Sequence, residues 1–160
     1  MFNFLFLKES YVKKEGVISQ MNNQELKDKV LQVLENNKVG TLASVKNNRP
    51  HSRYMTFFNE ELTLYTPTSK DTHKAEEIDE NPYVHILIGY EGEGFGDAYL
   101  EIEGKAEIKE DESLKKQHWN DYMENWFQGP EDPNYIILKI TPEQIRLMNK
   151  GDTTPQTLEL

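Results

Sequence analysis

Hydrophobic residues near the start of the chain recur with the period of an α-helix. Residues 24–37 carry them at spacings of four, three and one, which places them on one helical face. The residues on this face are Leu26, Val30, Val33 and Leu34. Asn22 and Asn23 stand just before it and are good N-cap residues. The pattern therefore predicts an amphipathic helix over 24–37.

Much of the remaining chain alternates between apolar and polar residues, the period of a half-buried β-strand. The segments with strand character are 41–45, 51–58, 62–66, 83–89, 98–108 and 135–140. Gly104 interrupts the longest of them, as a β-bulge or a bend in a barrel would. Asn47-Asn48 and Asn59-Glu60 indicate tight turns between the first three strands.

Two further segments, residues 72–80 and 112–127, have helical character, and Pro142–Met148 is expected to form a single turn before a polar tail. The connections between strands are too short for the crossovers that parallel strands require. The sequence therefore predicts a mainly β (α+β) fold, a six-stranded antiparallel barrel with about three peripheral helices. Such closure removes the free edges of a sheet.

Composition excludes several classes of function. The 160 residues suit one domain with a single core. A formal net charge of -10 argues against nucleic-acid binding, which needs a basic surface. The absence of cysteine excludes disulfides, thiolate catalysis and cysteine-ligated metals. No apolar run approaches the roughly 18 residues of a membrane span, so we expect a cytoplasmic protein that binds neither membrane nor nucleic acid.

The first twenty residues differ from the rest because they show no clear period. Met21 is a second possible start, and Lys14-Glu15-Gly16 can be encoded by a purine-rich stretch resembling a ribosome-binding site. We expect 1–20 to be a translated leader, with a disordered or interfacial arm as the alternative. The domain is expected to span 21–150, and residues 151–160 to form the polar tail.

One basic cluster interrupts an otherwise acidic chain. Lys70, His73 and Lys74 surround the start of the helix at 72–80, with Thr72 among them and Arg53 on an earlier strand. Cations at a helix N-terminus oppose the helix dipole unless an anion lies between them. Amides, lysine and a hydroxyl together make a phosphate site. The alternative is a set of solubilising lysines, balanced by the acidic residues Glu76, Glu77, Asp79 and Glu80.

Five segments in order resemble the pyridoxamine 5'-phosphate oxidase-like family, and its general stress protein branch in particular. They are RPHSRYMTF (49–57), LTLYTPT (62–68), THKAEEIDENPYVHI (72–86), GFGDAYLEIEGKAEI (94–108) and GPEDPNYIILKITPEQI (129–145). The resemblance covers about residues 24–148. It implies a split β-barrel, usually a homodimer with FMN at the subunit interface, and an oxidoreductase function.

The resemblance also implies the residues that hold the flavin. Arg53 and Lys74, with Thr72 and His73, correspond to phosphate and ribityl contacts, and Lys70 belongs to the same basic cluster. Three residues of the second strand would run past the isoalloxazine, namely Tyr54, Met55 and Thr56. Tyr65 and Thr66 would line the ribityl side.

The chain also departs from the oxidases themselves. Phe58 stands where they have a second basic residue, and His73 replaces an arginine, which would make phosphate binding weaker and pH-sensitive. Their C-terminal Trp and Arg-x-His, which grip the vitamin substrate, have no match in Ile145–Lys150. Oxidation of that vitamin is therefore not expected, and no residue stands out as a general acid or base.

Several alternatives stay open. The stripe His118, Trp119, Tyr122 and Trp126 would cap a flavin ring, form a dimer contact or belong to the core. The four histidines lack metal-ligand spacing, so no metal site is expected. The chain is then a flavin enzyme acting on an unknown small molecule, a non-catalytic flavin carrier, or a split barrel that binds haem or a deazaflavin. An open pocket over the flavin ring would favour the enzyme, and a pocket filled by aromatic side chains would favour the carrier. A histidine positioned as an axial ligand in a wide cavity would favour haem.

Overall fold

The computed structural model describes residues 20–150 and 155–160, so the expected leader, apart from Gln20, lies outside the described residues. The helices are α1 (Asn23–Asn36), α2 (His73–Glu80) and α3 (Glu112–Gln117), with a 3-10 helix at Asp121–Asn125. The strands are β1 (Val39–Lys46), β2 (Arg49–Thr56), β3 (Phe58–Glu60), β4 (Thr63–Ser69), β5 (Tyr83–Ile88), β6 (Tyr99–Lys109), β7 (Tyr135–Met148) and β8 (Gln156–Leu158).

Helix α1 begins at the predicted cap. The Asn22 side chain accepts a hydrogen bond from the Glu25 amide at 2.9 Å, and the Glu25 carboxylate accepts one from the Asn22 amide at 3.1 Å. This reciprocal pair is a capping box. The predicted apolar face of the helix is buried against the sheet, so both the helix and its orientation are confirmed.

The eight strands form one antiparallel sheet in the order β2-β1-β5-β6-β7-β4-β3, with β8 added to β7. Its two end strands, β2 and β3, are consecutive in the chain and are separated only by Phe57. The sheet must therefore curl until its ends meet, which produces an incompletely closed barrel. The predicted split barrel is confirmed, with two strands more than the six expected.

One additional strand, β3, arises because the predicted turn is displaced. Asn59 and Glu60 pair with Leu64 and Thr63 instead of turning, and the turn falls at Glu61, whose φ is +50°. The prediction of a turn at Asn59-Glu60 is therefore wrong. Strand β4 also continues to Ser69, three residues beyond the predicted end of the strand at residue 66, because Ser69 still pairs with Tyr135.

The other additional strand, β8, lies in the segment expected to be a polar tail. Gln156 pairs with Leu147, and Leu158 pairs with Ile145 and is buried in the core. Strand β7 is itself longer than predicted, since the expected turn at Pro142–Met148 is a continuation of the strand. Pro142 is tolerated because it lies opposite Gly104, at the predicted β-bulge, where the ladder is already interrupted.

The helix predicted over 112–127 is two short helices. Helix α3 ends at Gln117, and Asn120 is extended, with its side chain accepting a hydrogen bond from the Tyr122 amide at 3.1 Å. Asparagine caps of this kind compete with continuation of a helix. The break turns the second half of the segment toward the barrel, where Met123 is buried.

Two apolar clusters fill the molecule. The larger lies inside the barrel, beneath α1 and α2, and the smaller contains Tyr65, Met123, Tyr135 and Ile137. The smaller cluster lies under the loop that carries the 3-10 helix, outside the barrel interior. None of the helices in the described ranges is both long and apolar enough to cross a membrane.

Candidate functional site

A cavity of about 730 Å³ opens at the seam of the barrel. Strand β2 contributes residues 54–56 and strand β4 contributes residues 67–69, and the two strands approach each other without pairing. Among the described strands β2 pairs with β1 alone, so its other edge keeps backbone donors and acceptors available at the seam. The volume lies within the range of small-molecule sites, about 300–1,000 Å³.

One end of the cavity is polar and basic. Thr68 and Ser69 at the end of β4, Thr72 before α2 and Lys74 in its first turn line this end. The Thr72 side chain does not cap the helix, because its hydroxyl donates to the Ser69 carbonyl at 2.8 Å. Among the first-turn amides of α2, that of Ala75 donates to the Thr72 carbonyl at 3.0 Å. The amides of His73 and Lys74 have no acceptor among the described residues and no side-chain cap, a common arrangement for binding an anion.

Lys74 is the cationic side chain of this cavity. None of the ion pairs formed within the described ranges involves it. Burial lowers the pKa of the Lys74 ammonium below its usual value, the nearby Arg53 lowers it further, and Glu77 partly opposes both. An anion bound beside the ammonium would relieve this unfavourable environment.

The other end of the cavity is aromatic. Tyr54 on β2 faces Tyr122, Trp126 and Phe127 from the segment after α3. The Trp126 side chain is 60% exposed and makes an edge contact with Tyr122, their ring centroids 4.8 Å apart. These rings offer apolar surface to a planar ligand at the mouth of the cavity.

A loop from 128 to 134 closes the remaining side. The Asp132 carboxylate accepts hydrogen bonds from the amides of Gln128 and Asn134 at 3.0 and 2.8 Å, which lower its pKa. The Asn134 carbonyl accepts a hydrogen bond from the Lys70 amide at 2.8 Å. This bond joins the loop to the segment that leads into α2, so the two walls of the polar end are held together.

The structure brings half of the predicted site residues to the cavity. Those that line it are Tyr54, Met55, Thr56, Thr72 and Lys74. The other five, Arg53, Tyr65, Thr66, Lys70 and His73, are engaged elsewhere or point away from it.

Each of these five has a different environment. Arg53 donates to Glu77 at 2.8 Å, and Lys70 pairs with Glu110 at 2.7 Å on a separate surface. The His73 side chain is 93% exposed. Tyr65 stacks on His118 in the smaller cluster, and Thr66 is fully buried, its hydroxyl without a partner in the described ranges.

The sequence analysis missed part of the lining. Asn120, Met123, Phe127, Asp132 and Asn134 line the cavity but were not considered. Tyr122 and Trp126 were considered, with three alternatives left open. The stripe divides at the helix break, since His118 is buried whereas Tyr122 and Trp126 reach the cavity. The dipeptides Gly129-Pro130 and Asp132-Pro133, which follow this segment, were the sequence signal that could have indicated a loop over the seam.

No histidine belongs to the described lining of the cavity. His51 contacts Glu77, His85 lies on the outer face of β5, and His118 stacks in the smaller cluster. The arrangement that would favour haem, an axial histidine facing a wide cavity, is therefore not seen among the described residues.

Comparisons with known proteins agree with this fold. Residues 26–149 match the family described as pyridoxamine 5'-phosphate oxidase. General stress protein 26 of Bacillus subtilis (strain 168) is 61% identical over 140 residues, which are 88% of this chain and the whole of that protein.

Solved structures extend the comparison. General stress protein 26 from Bacillus anthracis str. Sterne superposes with a TM-score of 0.76 at 38% identity, covering 85% of this chain and 99% of that one. A protein from Listeria innocua, described as a candidate pyridoxamine 5'-phosphate oxidase, gives a TM-score of 0.70 at 49% identity, covering 78% of this chain and 98% of that one.

Proposed function

The chain belongs to the pyridoxamine 5'-phosphate oxidase family, and from this premise we propose that it binds FMN in the cavity between β2 and β4. The observation that carries the proposal is the two-ended character of the cavity. Its basic end holds Lys74 beside the start of α2, and its opposite end is lined by Tyr54, Tyr122 and Trp126. FMN has the same two ends, a phosphate and a planar ring system.

The donors present fit the phosphate. Lys74 supplies a positive charge, the start of α2 supplies amides and a favourable dipole, and Thr68 and Ser69 supply hydroxyls. The edge of β2 supplies backbone groups to the polar rim of the ring, and Tyr54 and Met55 supply its apolar surroundings. The lining also includes the Asp132 carboxylate, which the amides of its own loop hold in place.

FMN, when bound, supplies hydride or electron transfer, and the protein binds it, orients it and tunes its electrostatics. Within the proposal, Lys74 fixes the phosphate end and the edge of β2 sets the orientation of the ring. The segment 120–127 places aromatic side chains beside the ring. No side chain of the described lining has the geometry of an evident general acid or base.

We favour an oxidoreductase over a flavin carrier because the aromatic end is open. Tyr122 and Trp126 are both more than half exposed and so do not fill the cavity. A small oxidised molecule would then reach the ring from the mouth of the cavity. The family's vitamin substrate is not proposed, because Ile145–Lys150 lacks the residues that grip it. The carrier role is the second candidate, and a stress-response setting is suggested by the names of the relatives alone.

We also propose that the protein is a homodimer with the flavin near the subunit interface. The outer face of β5, β6 and β7 carries exposed apolar side chains around a second cavity of about 640 Å³. Among them is Leu87 on β5, and the connection between β5 and β6 adds Tyr90 and Phe95, which is 78% exposed. Exposed apolar patches of this kind mark interfaces between proteins.

A titration with two flavins tests the phosphate assignment. Lys74→Ala should weaken FMN binding by roughly ten- to a hundredfold, since a charge-assisted contact contributes roughly 1.5–3 kcal/mol. Riboflavin, which lacks the phosphate, should bind with little change. The quenching of flavin fluorescence measures both dissociation constants.

The matched control is Lys70→Ala, because Lys70 lies outside the cavity and pairs with Glu110. It should leave the ratio of the two affinities unaltered. An equal loss of FMN and riboflavin affinity in Lys74→Ala would refute the phosphate site. A visible spectrum of the purified protein that shows no flavin band, even after FMN is added, would refute flavin binding itself.

A further inference from the structure

Glu77 is a buried carboxylate that the proposed function does not use. It lies in α2, one turn after Lys74, and its side chain is 1% exposed. Three groups of the β1–β2 hairpin surround it: the Ser44 hydroxyl at 2.5 Å, an Arg53 guanidinium nitrogen at 2.8 Å and His51 Nδ1 at 2.7 Å. A carboxylate is stable in such a place only when it is fully paired.

Arg53 is committed to the same network. One guanidinium nitrogen contacts Glu77, and the other donates to the Ser44 hydroxyl at 2.6 Å and lies 3.4 Å from the Leu42 carbonyl. The register of the β1–β2 hairpin brings the side chains of this network together, since Leu42 pairs with Arg53 and Ser44 pairs with His51. The guanidinium therefore faces α2, and Arg53 is absent from the lining of the cavity.

The network of Glu77, Arg53, Ser44 and His51 fixes the position of the basic end of the cavity. Lys74 and Glu77 are three residues apart, so they share one face of α2. Apart from this network, α2 is held by the apolar contacts of Ala75 and Ile78 with the core and by an exposed ion pair between Glu76 and Lys46. Apolar contacts alone are not directional, whereas the bonds of Glu77 fix both the rotation and the height of the helix on the hairpin.

We propose that Glu77 and Arg53 form a brace that positions Lys74 and the first-turn amides of α2 for the phosphate, without touching the ligand themselves. The proposal rests on the phosphate site proposed above and assigns to Arg53 a positioning role in place of a direct contact. Because Glu77 also neutralises the charge of Arg53, Lys74 is the cation that contacts the phosphate in this proposal.

The variant Glu77→Gln separates the two roles of Arg53. If the brace is correct, FMN binding weakens by about tenfold, as the loss of a charged hydrogen bond predicts, while riboflavin binding stays within about twofold. If Arg53 contacts the phosphate directly, removing the charge that holds it frees the guanidinium and tightens FMN binding. Unchanged or tighter FMN binding therefore overturns the brace.

The matched control is Glu76→Gln, in the same helix but with an exposed carboxylate that pairs with Lys46 and His73. It should leave both dissociation constants unchanged. Ser44→Ala removes one member of the network and retains the charges. It should lower the FMN-to-riboflavin preference several-fold, and it carries the test if Glu77→Gln does not give a cooperative thermal transition.

A double-mutant cycle completes the test. In a Lys74→Ala background, Glu77→Gln should weaken FMN binding by clearly less than it does in the unsubstituted protein, because one of the contacts that the brace positions is already gone. If Lys74→Ala and Glu77→Gln weaken FMN binding additively, the proposed brace is wrong. If Lys74→Ala leaves the flavin preference intact, the proposed phosphate site itself has failed. If Lys74→Ala lowers the preference while Glu77→Gln and Ser44→Ala do not, only the brace has failed.

Discussion

His118 is a buried imidazole enclosed by aromatic rings. Its ring lies 4.6 Å from that of Tyr65 and 5.7 Å from that of Phe58, and its Nε2 has no hydrogen-bond partner in the described part of the chain. Burial lowers the pKa of His118 below its usual value of 6.5, and Glu60 only partly opposes this. The folded protein therefore disfavours the imidazolium.

Protein stability should consequently depend on pH through this residue. Below about pH 6.5 the unfolded chain binds a proton that the folded chain resists, so the free energy of unfolding falls as the pH decreases. The slope from one group is at most about 1.4 kcal/mol per pH unit. His118→Phe should remove this component, which urea unfolding at pH 7.5 and 5.5 would measure. The exposed His73→Gln is the control, and superimposable profiles of His118→Phe and the unsubstituted protein would contradict the prediction.

The residue scale also shows where sequence reasoning reaches its limit. The basic cluster around 70–74 and the edge residues 54–56 were found because spacing and alternation are local properties. The partner of Arg53 was not predicted, because Glu77 lies 24 positions away and looks in the sequence like an ordinary solvent-exposed acidic residue of a helix. The pKa of Glu77 shows the difference: burial raises it, but hydrogen bonds from Ser44, Arg53 and His51 lower it to about 2.

At the scale of elements, the β-bulge between β6 and β7 sets the path of β7, which carries the extra residue Glu143. The register between the two strands shifts between Glu103 and Gly104, and Pro142 lies opposite the shift. A Cβ added to Gly104 would lie 2.5 Å from the Thr141 carbonyl oxygen, a backbone atom with little freedom to move. The bulge therefore needs glycine for close approach of the two backbones.

Gly104→Ala should therefore destabilise the protein by roughly 1–3 kcal/mol, the usual effect of forcing extra volume into a packed place. Chemical denaturation monitored by circular dichroism measures the change. Glu103→Ala, one residue earlier but with an exposed side chain, should have a much smaller effect. A wild-type free energy of unfolding in Gly104→Ala would show that the bulge relaxes without strain.

Elements were predictable where one local signal decided them. Helix α1 and the bulge each follow from a strong local pattern, a capping residue with a period in one case and a lone glycine in the other. Strand β7 was cut short in the prediction because Pro142 is normally a breaker, and only the opposing Gly104 makes it acceptable. The helix at 112–127 was overextended because the local cap at Asn120 competes with a helical periodicity that continues past it.

At the scale of the molecule, the curl of the sheet creates the site. Strands β2 and β3 are separated by a single residue yet lie at opposite ends of the sheet, so the seam between β2 and β4 stays open where the barrel would otherwise close. Short antiparallel connections predicted a barrel from the sequence. The width of the seam depends on register and on the segment 120–134 lying over it, which no local pattern encodes.

The exposed apolar face of β5, β6 and β7 gives the last prediction, since a second copy of the chain would cover it in the proposed homodimer. Tyr90 and Phe95, in the connection between β5 and β6, are exposed and line the second cavity beside this face. Replacing both with serine should shift the protein from dimer to monomer in sedimentation velocity at micromolar concentration, because apolar burial drives such association. Val39→Ser, which replaces an exposed apolar residue of β1 outside this face, is the control.

FMN affinity should fall together with dimer content if the flavin lies near the interface. A double variant that becomes monomeric and still binds FMN as tightly as the unsubstituted protein would place the flavin site within one subunit. An unsubstituted protein that sediments as a monomer would contradict the homodimer outright. The exposed aromatic rings of Tyr90 and Phe95 would then need a different partner, while the phosphate end of the cavity, which is built from α2 and β4 of one chain, would stand unaffected.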